Sequence, residues 1–563
     1  MHELVASKLW QSVAIKPRSE YDLHRISVAA FPQSCLQLAK EVHFRSEVQY
    51  ATIRRCPHAK DHGDPWRSDD DDDNDINAEY NNDEDSDDLR FVCLTKKAES
   101  LLRRLEDTQL RSFSWNLGTC VPPEILGADG VIPQKQPLIR SLRLTTDFTC
   151  LHYFDAECGI DLSRFRQLRQ LSWKAPNADN LDTLSVAIRN NSTHLEKLYG
   201  ILPQNYFIRR VLFLNKRSPR PLLPANRVLS LSQVPIAAEM TDVINFDILV
   251  SLTLRICLGW DRFLQRVIQL NVPINLKTLE IQESSSVSCS WTEDILADFL
   301  NAFEGLEELY ISHVGPVPAL DFWNRIIHRH TTLKRFVHHQ RTIDIDDESP
   351  HFEEEHDLSD LAILGRELRQ IKEAPSQNPL AWLNLEFIGL ACVPERLKHL
   401  LLPFKSKTSL KALHIRQSGS DLKHYASWAV EGQDRTSRQG SVASHDSMES
   451  LPWTDSSVTS LPTEMEDATV RHEAWLRHRM RNEFCRFAEW VFGPYGISSL
   501  QIMAFGDFAY GGRSITNNFL FGRNTEGNSH FRLLSEYEPE WKNIRDEYRH
   551  ALGACPVEPL LGD

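Results

Sequence analysis

Two stretches decide the reading of this chain: Leu276-Lys-Thr-Leu279-Glu-Ile281 and, thirty residues on, Leu306-Glu-Glu-Leu309-Tyr-Ile311. Each is a phrase of the form Leu-x-x-Leu-x-Leu. Toward the N-terminus the phrase recurs as Leu249-x-x-Leu252-x-Leu254, a weaker copy from Asn226 through Leu229 and Leu231, Leu195-x-x-Leu198, Leu168-x-x-Leu171-x-Trp173, Ile139-x-x-Leu142-x-Leu144 and Leu110-x-x-Phe113-x-Trp115. Toward the C-terminus it returns as Leu333-x-x-Phe336, Leu380-x-x-Leu383-x-Leu385, Leu410-x-x-Leu413-x-Ile415 and Ile497-x-x-Leu500-x-Ile502. Eight of the eleven intervals between starting positions fall between 27 and 31 residues. A random scatter of Leu does not keep that beat.

A period near 28 lies beside the 20–29 of leucine-rich repeats, in which each repeat is a short strand followed by a helix. Between phrases the apolar period changes from 2 to about 3.6, as that unit requires. Helical pattern runs through Ala98–Leu105, Thr292–Phe303, Leu320–Ile327 and Val393–Phe404. The expected fold is therefore α/β: a leucine-rich-repeat solenoid with a curved parallel sheet on its concave face and helices on the convex face. Within each phrase the first, fourth and sixth residues face inward, and the alternate positions line the groove. Twelve strands at about 4.8 Å would line roughly 50 Å, a protein-sized surface. Alternation nominates Arg143, Lys174, Tyr199, Arg255, Glu280, Glu308, Tyr310, His339, His414 and Arg416 as contact residues for a protein target. Tyr and Arg suit interface anchors, and His339 would titrate within the groove.

The chain has 563 residues and a formal charge of −15. Twelve acids between Asp69 and Asp88, with no Lys or Arg among them, contribute −12 and leave a body near −3. Basic charge looks dispersed, so no nucleic-acid surface is expected. The one local exception, Arg209, Arg210, Lys216, Arg217, Arg220 and Arg227, reads as a solvated Pro-rich insertion. No apolar run approaches a membrane span. Eleven scattered Cys without a Cys-x-x-Cys pair, behind a start that lacks a secretory pattern, read as reduced thiols in an intracellular protein of cytoplasm or nucleus.

No phosphate-binding loop, Gly-x-Gly-x-x-Gly or Gly-x-Ser-x-Gly elbow occurs. His472-Glu473 has its next His six positions on instead of four, off the face a zinc helix needs. No catalytic residue, metal site or cofactor is expected. The chain divides into residues 1–20, a first repeat-like segment 21–60, an acidic insertion 61–90 and the solenoid 91–430, interrupted at 340–375. A Ser-rich loop, 431–470, precedes the last repeat and cap, 471–563. The insertion and loop are too polar to offset chain entropy and read as disordered. An amphipathic helix is expected over Glu473–Phe492, and the tail from Trp541 is expected to cover the open end of the core.

The repeat body resembles the leucine-rich-repeat region of fungal F-box proteins. Leu4, Val5, Leu9, Trp10, Val13 and Ile15 are similar to the closing helix of an F-box and its following strand, and Leu36–Phe44 to the first repeat strand. The resemblance implies a substrate receptor that holds a protein target and, through a complete F-box, docks on the adaptor subunit of a cullin-RING ubiquitin ligase. The sequence starts where an F-box would end. A shortened gene model and a ligase-independent scaffold or regulator both remain open.

Overall fold

A computed structural model describes residues 10–16, 31–45, 84–148, 150, 159–177, 179–201, 222–283, 290–314, 318–341, 363–417, 427–431, 480–509, 518–524, 529–534 and 538–556. These form an α/β structure with sixteen strands in a mostly parallel sheet, ordered as in the chain. The chain divides into two compact units. One comprises Met1–Thr278, Gly511–Arg513 and Pro559–Asp563; the other comprises Leu279–Tyr510 and Ser514–Glu558.

The first unit holds β1 (Ser12–Ile15), β2 (Glu41–Arg45), β3 (Ser112–Asn116), β4 (Ser141–Thr145), β5 (Gln170–Lys174), β6 (Lys197–Ile201), β7 (Val228–Ser232) and β8 (Ser251–Arg255). All run parallel in unbroken register. Phe113, Leu142, Leu171, Leu198, Leu229 and Leu252 lie side by side at the fourth phrase position, and Trp115, Leu144 and Trp173 at the sixth. These side chains are buried. At roughly 1.5–3 kcal/mol per large apolar side chain removed from water, each phrase contributes several kcal/mol against chain entropy.

The second unit holds β9 (Thr278–Gln282, from Leu279 on), β10 (Glu308–Val314), β11 (Arg335–Arg341), β12 (Phe387–Leu390), β13 (Ala412–Ile415), β14 (Ile502–Phe505), β15 (Phe519–Arg523) and β16 (Phe531–Leu533). β10 to β14 are parallel; β15 and β16 return antiparallel. Helices Ser290–Asn301, Ala319–Ile327, Gly365–Glu373, Pro394–Leu401 and Asn482–Phe492 connect the strands. Trp323, on the second of these, lies 5.7 Å from Phe336 and donates its Nε1–H to His338 Nδ1 at 3.0 Å. The helices thus cover the face carrying the fourth and sixth positions.

Several returns from helix to strand bury peptide groups, which then need partners that water cannot supply. Buried amide and imidazole side chains supply them. Gln136 accepts from the Leu110 amide at 2.9 Å and donates to the Glu106 carbonyl at 2.7 Å. Asn191 accepts from Leu168 at 2.8 Å while its amide nitrogen donates to the Phe165 and Ala187 carbonyls. In the second unit His330 bonds the Leu300 carbonyl at 2.9 Å, and Asn378 donates to the Leu400 carbonyl at 2.9 Å.

Two phrases are displaced from their expected places. The strand is β12, so its phrase is Leu385-x-x-Ile388-x-Leu390, five residues later than Leu380. Asn378-Pro379 starts a tight 3-10 turn there, with Asn378 accepting from the Leu380 amide. Likewise Ile502 pairs with Ala412, which makes the last phrase Leu500-x-x-Met503-x-Phe505; Ile497 belongs to the turn after Asn482–Phe492, its amide bonded to the Val491 carbonyl. The helix expected over Ala98–Leu105 ends at Arg103 and begins at Glu84, inside the acidic run. Residues 61–83, 342–362 and 432–479, with most of the segments expected to be disordered and the first part of the Glu473–Phe492 helix, lie outside the described residues.

The tail corrects a third expectation. Helices Pro539–Glu547 and Arg549–Leu552 do not cover an end of the core. Trp541, Ile544, Tyr548, Leu552, Ala554 and Cys555 form one buried cluster with Tyr310, Val337, Phe387, Ala412, Ile502 and Ala504. Those strand residues are the third and fifth phrase positions, so the tail lies across the face opposite the other helices.

Candidate functional site

In the first unit the helix-free face carries rows of residues fixed by register. One row reads Ala14, His43, Ser114, Arg143, Ser172, Tyr199, Ser230 and Thr253 from β1 to β8. Two residues further along each strand, the next row reads Arg45, Asn116, Thr145, Lys174, Ile201, Ser232 and Arg255. The first row alternates long and short: His43, Arg143 and Tyr199 stand on every second strand, with Ser114, Ser172 and Ser230 between and beyond them. Long side chains therefore stand about 10 Å apart, two strand spacings, with hydroxyl-floored notches between them.

The electrostatics follow from that spacing. Arg143 is exposed, and the Gln170 amide oxygen, turned toward it, accepts from its Nε at 3.1 Å and Nη2 at 3.0 Å. Burial raises the Tyr199 hydroxyl above its ordinary range, opposed by the charge of Arg143. His43 was not singled out from sequence. Its Nδ1 bonds Ser114 Oγ at 2.8 Å and its Nε2 meets Glu41 Oε2 at 3.2 Å. Burial holds His43 below the usual imidazole value against the Glu41 hydrogen bond, with Arg45 and Arg143 adding to the lowering. Lys174 and Arg255 are half-buried on the second row. Four of the ten nominated residues thus share one face of the first unit, on which Arg143 is exposed and Lys174, Tyr199 and Arg255 are half-buried.

The other six stand on the corresponding face of the second unit, where the chain's own tail occupies the surface. Glu280 accepts from the Cys555 amide at 2.7 Å. Arg416 donates from Nη2 to the Ala554 carbonyl at 2.7 Å and the Cys555 carbonyl at 2.9 Å, and from Nε to His339 Nδ1 at 2.9 Å. Gln282 donates to the Pro556 carbonyl at 2.6 Å, and His414 bonds the Gly506 carbonyl at 2.8 Å. Tyr310 donates to Glu308 at 2.9 Å; Glu308 in turn pairs with Arg335, whose guanidinium lies 5.6 Å from the Tyr548 ring centroid. Glu280, Tyr310, His339, His414 and Arg416 are all buried. Alternation identified the face correctly, but these side chains hold the tail and are not offered to a partner. Nor does His339 titrate as a groove residue: burial, then the charges of Arg416 and Arg341, keep it well below the ordinary value.

Of the residues similar to an F-box ending, Val13 and Ile15 are buried on β1 and Trp10 is half-buried before it; Leu4, Val5 and Leu9 lie outside the described residues. Among the described residues no group of three His, Cys, Asp or Glu is placed to hold a metal ion. No helix among them is long and apolar enough to cross a membrane. No protein-family model matches the chain, and no curated protein matches it either.

Proposed function

We propose that this chain is a leucine-rich-repeat recognition protein of the F-box type, a non-enzymatic receptor that holds a protein target on the helix-free face of its first unit. One observation carries the reading: the row His43, Ser114, Arg143, Ser172, Tyr199 and Ser230, whose alternation of long and short side chains suits side-chain-by-side-chain engagement. Arg and Tyr anchors between small polar neighbours have the composition of an interface centre. The ligase link rests on the resemblance of the Leu4–Ile15 region, and under it the bound target is presented for ubiquitination.

The test is affinity capture of the full cellular product beside its Arg143→Glu and Tyr199→Ala variants. Anchor residues of this kind are worth about 2 kcal/mol or more, so each variant is expected to lose its target by roughly 30-fold. Targets retained equally by both variants would remove the face from consideration. Recovery of the cullin adaptor with the target supports the receptor role. Adaptor absent while the target persists would leave a ligase-independent scaffold.

A further inference from the structure

A second surface lies at the edge where the strands begin. The residue immediately before each strand phrase's third position is linked to its neighbours by main-chain hydrogen bonds that step from strand to strand. The Arg111 amide donates to the Lys40 carbonyl at 2.7 Å, and at 2.8 Å each Arg140 donates to Arg111, Arg169 to Arg140, Glu196 to Arg169, Arg227 to Glu196, Val250 to Arg227 and Lys277 to Val250. Six of these eight residues are cations: Lys40, Arg111, Arg140, Arg169, Arg227 and Lys277, all exposed. Lys40 to Arg169 occupy four consecutive strands and span about 14 Å at the strand pitch. One carboxylate interrupts the row, Glu196, which pairs with Arg169.

The corresponding edge of the second unit has a different character. There the ladder reads Glu307, Lys334, Glu386, Lys411 and Gln501. Its charges alternate in sign, and Lys334 meets Glu307 at 3.0 Å. Same fold position, same hydrogen-bond pattern, yet one edge neutralises itself and the other accumulates positive charge. Stacking therefore creates a basic row where the sequence shows only cations spaced 29 to 71 residues apart, and it corrects the expectation that basic charge is dispersed.

The geometry points to this edge as a docking ridge for an acidic α-helical segment of a partner protein. Carboxylates at i, i+3 and i+4 on one helix face recur on average every ~5.4 Å along the axis, close to the ~4.8 Å pitch of the cations. Arg presents a planar fork matched to a carboxylate, and three of the four consecutive cations are Arg. Nucleic acid fits less well. No aromatic side chain stands on this ladder to stack a base. The ridge goes beyond the receptor reading and is separate from the face that carries it.

The experiment measures binding of the full chain to three probes: a Glu-rich helical peptide, an oligothymidylate of equal charge and phosphatidylserine vesicles. Arg111→Glu with Arg140→Glu is expected to weaken the peptide at least tenfold. Glu196→Gln, which removes the one opposing charge, is expected to tighten it about threefold, and peptide affinity should fall as salt rises. The gain-of-binding variant keeps the test informative if the double variant folds poorly. Peptide affinity indifferent to both variants, or no peptide binding, overturns the ridge. So does tighter binding of the oligonucleotide or vesicles through the same arginines. The targets captured through Arg143 and Tyr199 are a separate readout, so failure of either idea leaves the other standing.

Discussion

Arg416→Met is expected to destabilise the second unit by about 3–5 kcal/mol and to free the tail, because a buried network loses its central donor while its acceptors stay buried. The wild-type guanidinium bridges His339, on β11, to the carbonyls of Ala554 and Cys555, which follow the last helical turn. Met fills similar volume, so the loss is one of hydrogen bonding and charge more than of packing. Limited proteolysis should then cut within residues 538–556 of the variant at protease concentrations that leave the wild type intact. Leu552→Ala, which opens a cavity beneath the same segment, is expected to cost about 2–5 kcal/mol and serves as the packing comparison. If Arg416→Met leaves both stability and cleavage unchanged, the polar network does not hold the tail.

The second large effect is acid destabilisation. Burial holds His338, His339 and His414 well below 6.5 in the folded state, with His313 adding to it for His338, and Arg416 for His339 and His414; the Gly506 hydrogen bond opposes it for His414. Unfolding returns each to an ordinary imidazole. As pH falls through 6.5 the unfolded chain therefore binds protons that the folded chain refuses, and stability falls; well above that value these groups add no slope. Each such histidine costs about 1.4 kcal/mol between pH 7.5 and 5.5, so three cost roughly 4 kcal/mol over that window. Urea unfolding at pH 7.5 and 5.5 measures this directly. His414→Asn should lower the pH dependence by about a third, and equal stability at the two pH values would contradict the burial of charge-free imidazoles.

Much of the architecture was legible because burial imposes a rhythm on sequence. From β3 to β11 each strand coincides with a phrase, since one misplaced residue would turn Leu to water and its polar neighbour to the core. The two slips, at Leu380 and Ile497, occurred where apolar turn residues imitated the phrase. Local pattern cannot separate a Leu that closes a turn from one that starts a strand; the deciding signals were the Asn378-Pro379 turn and the register across β13. The face nominated by alternation was also legible, but its occupancy was not. Nothing in Trp541–Leu552 says that its apolar stripe meets Tyr310, Val337 and Phe387, more than 150 residues earlier. Pairing over such separations is fixed by the assembled sheet and leaves no local mark. His43 and the Lys40–Arg169 row were missed for a related reason: they sit at variable phrase positions, and only lateral stacking gives them neighbours.

The placement of the tail has a consequence for synthesis. Cys555 follows Phe505 by 50 residues, so the bed of β10 to β14 is complete on the ribosome well before its cover has been made. At 5–20 residues per second the nascent chain passes roughly 3–10 s with Val337, Phe387, Ala412 and Ile502 bare, a time long compared with hydrophobic association. Cotranslational shielding by a chaperone is the natural counterpart of a fold that encloses one of its own faces last.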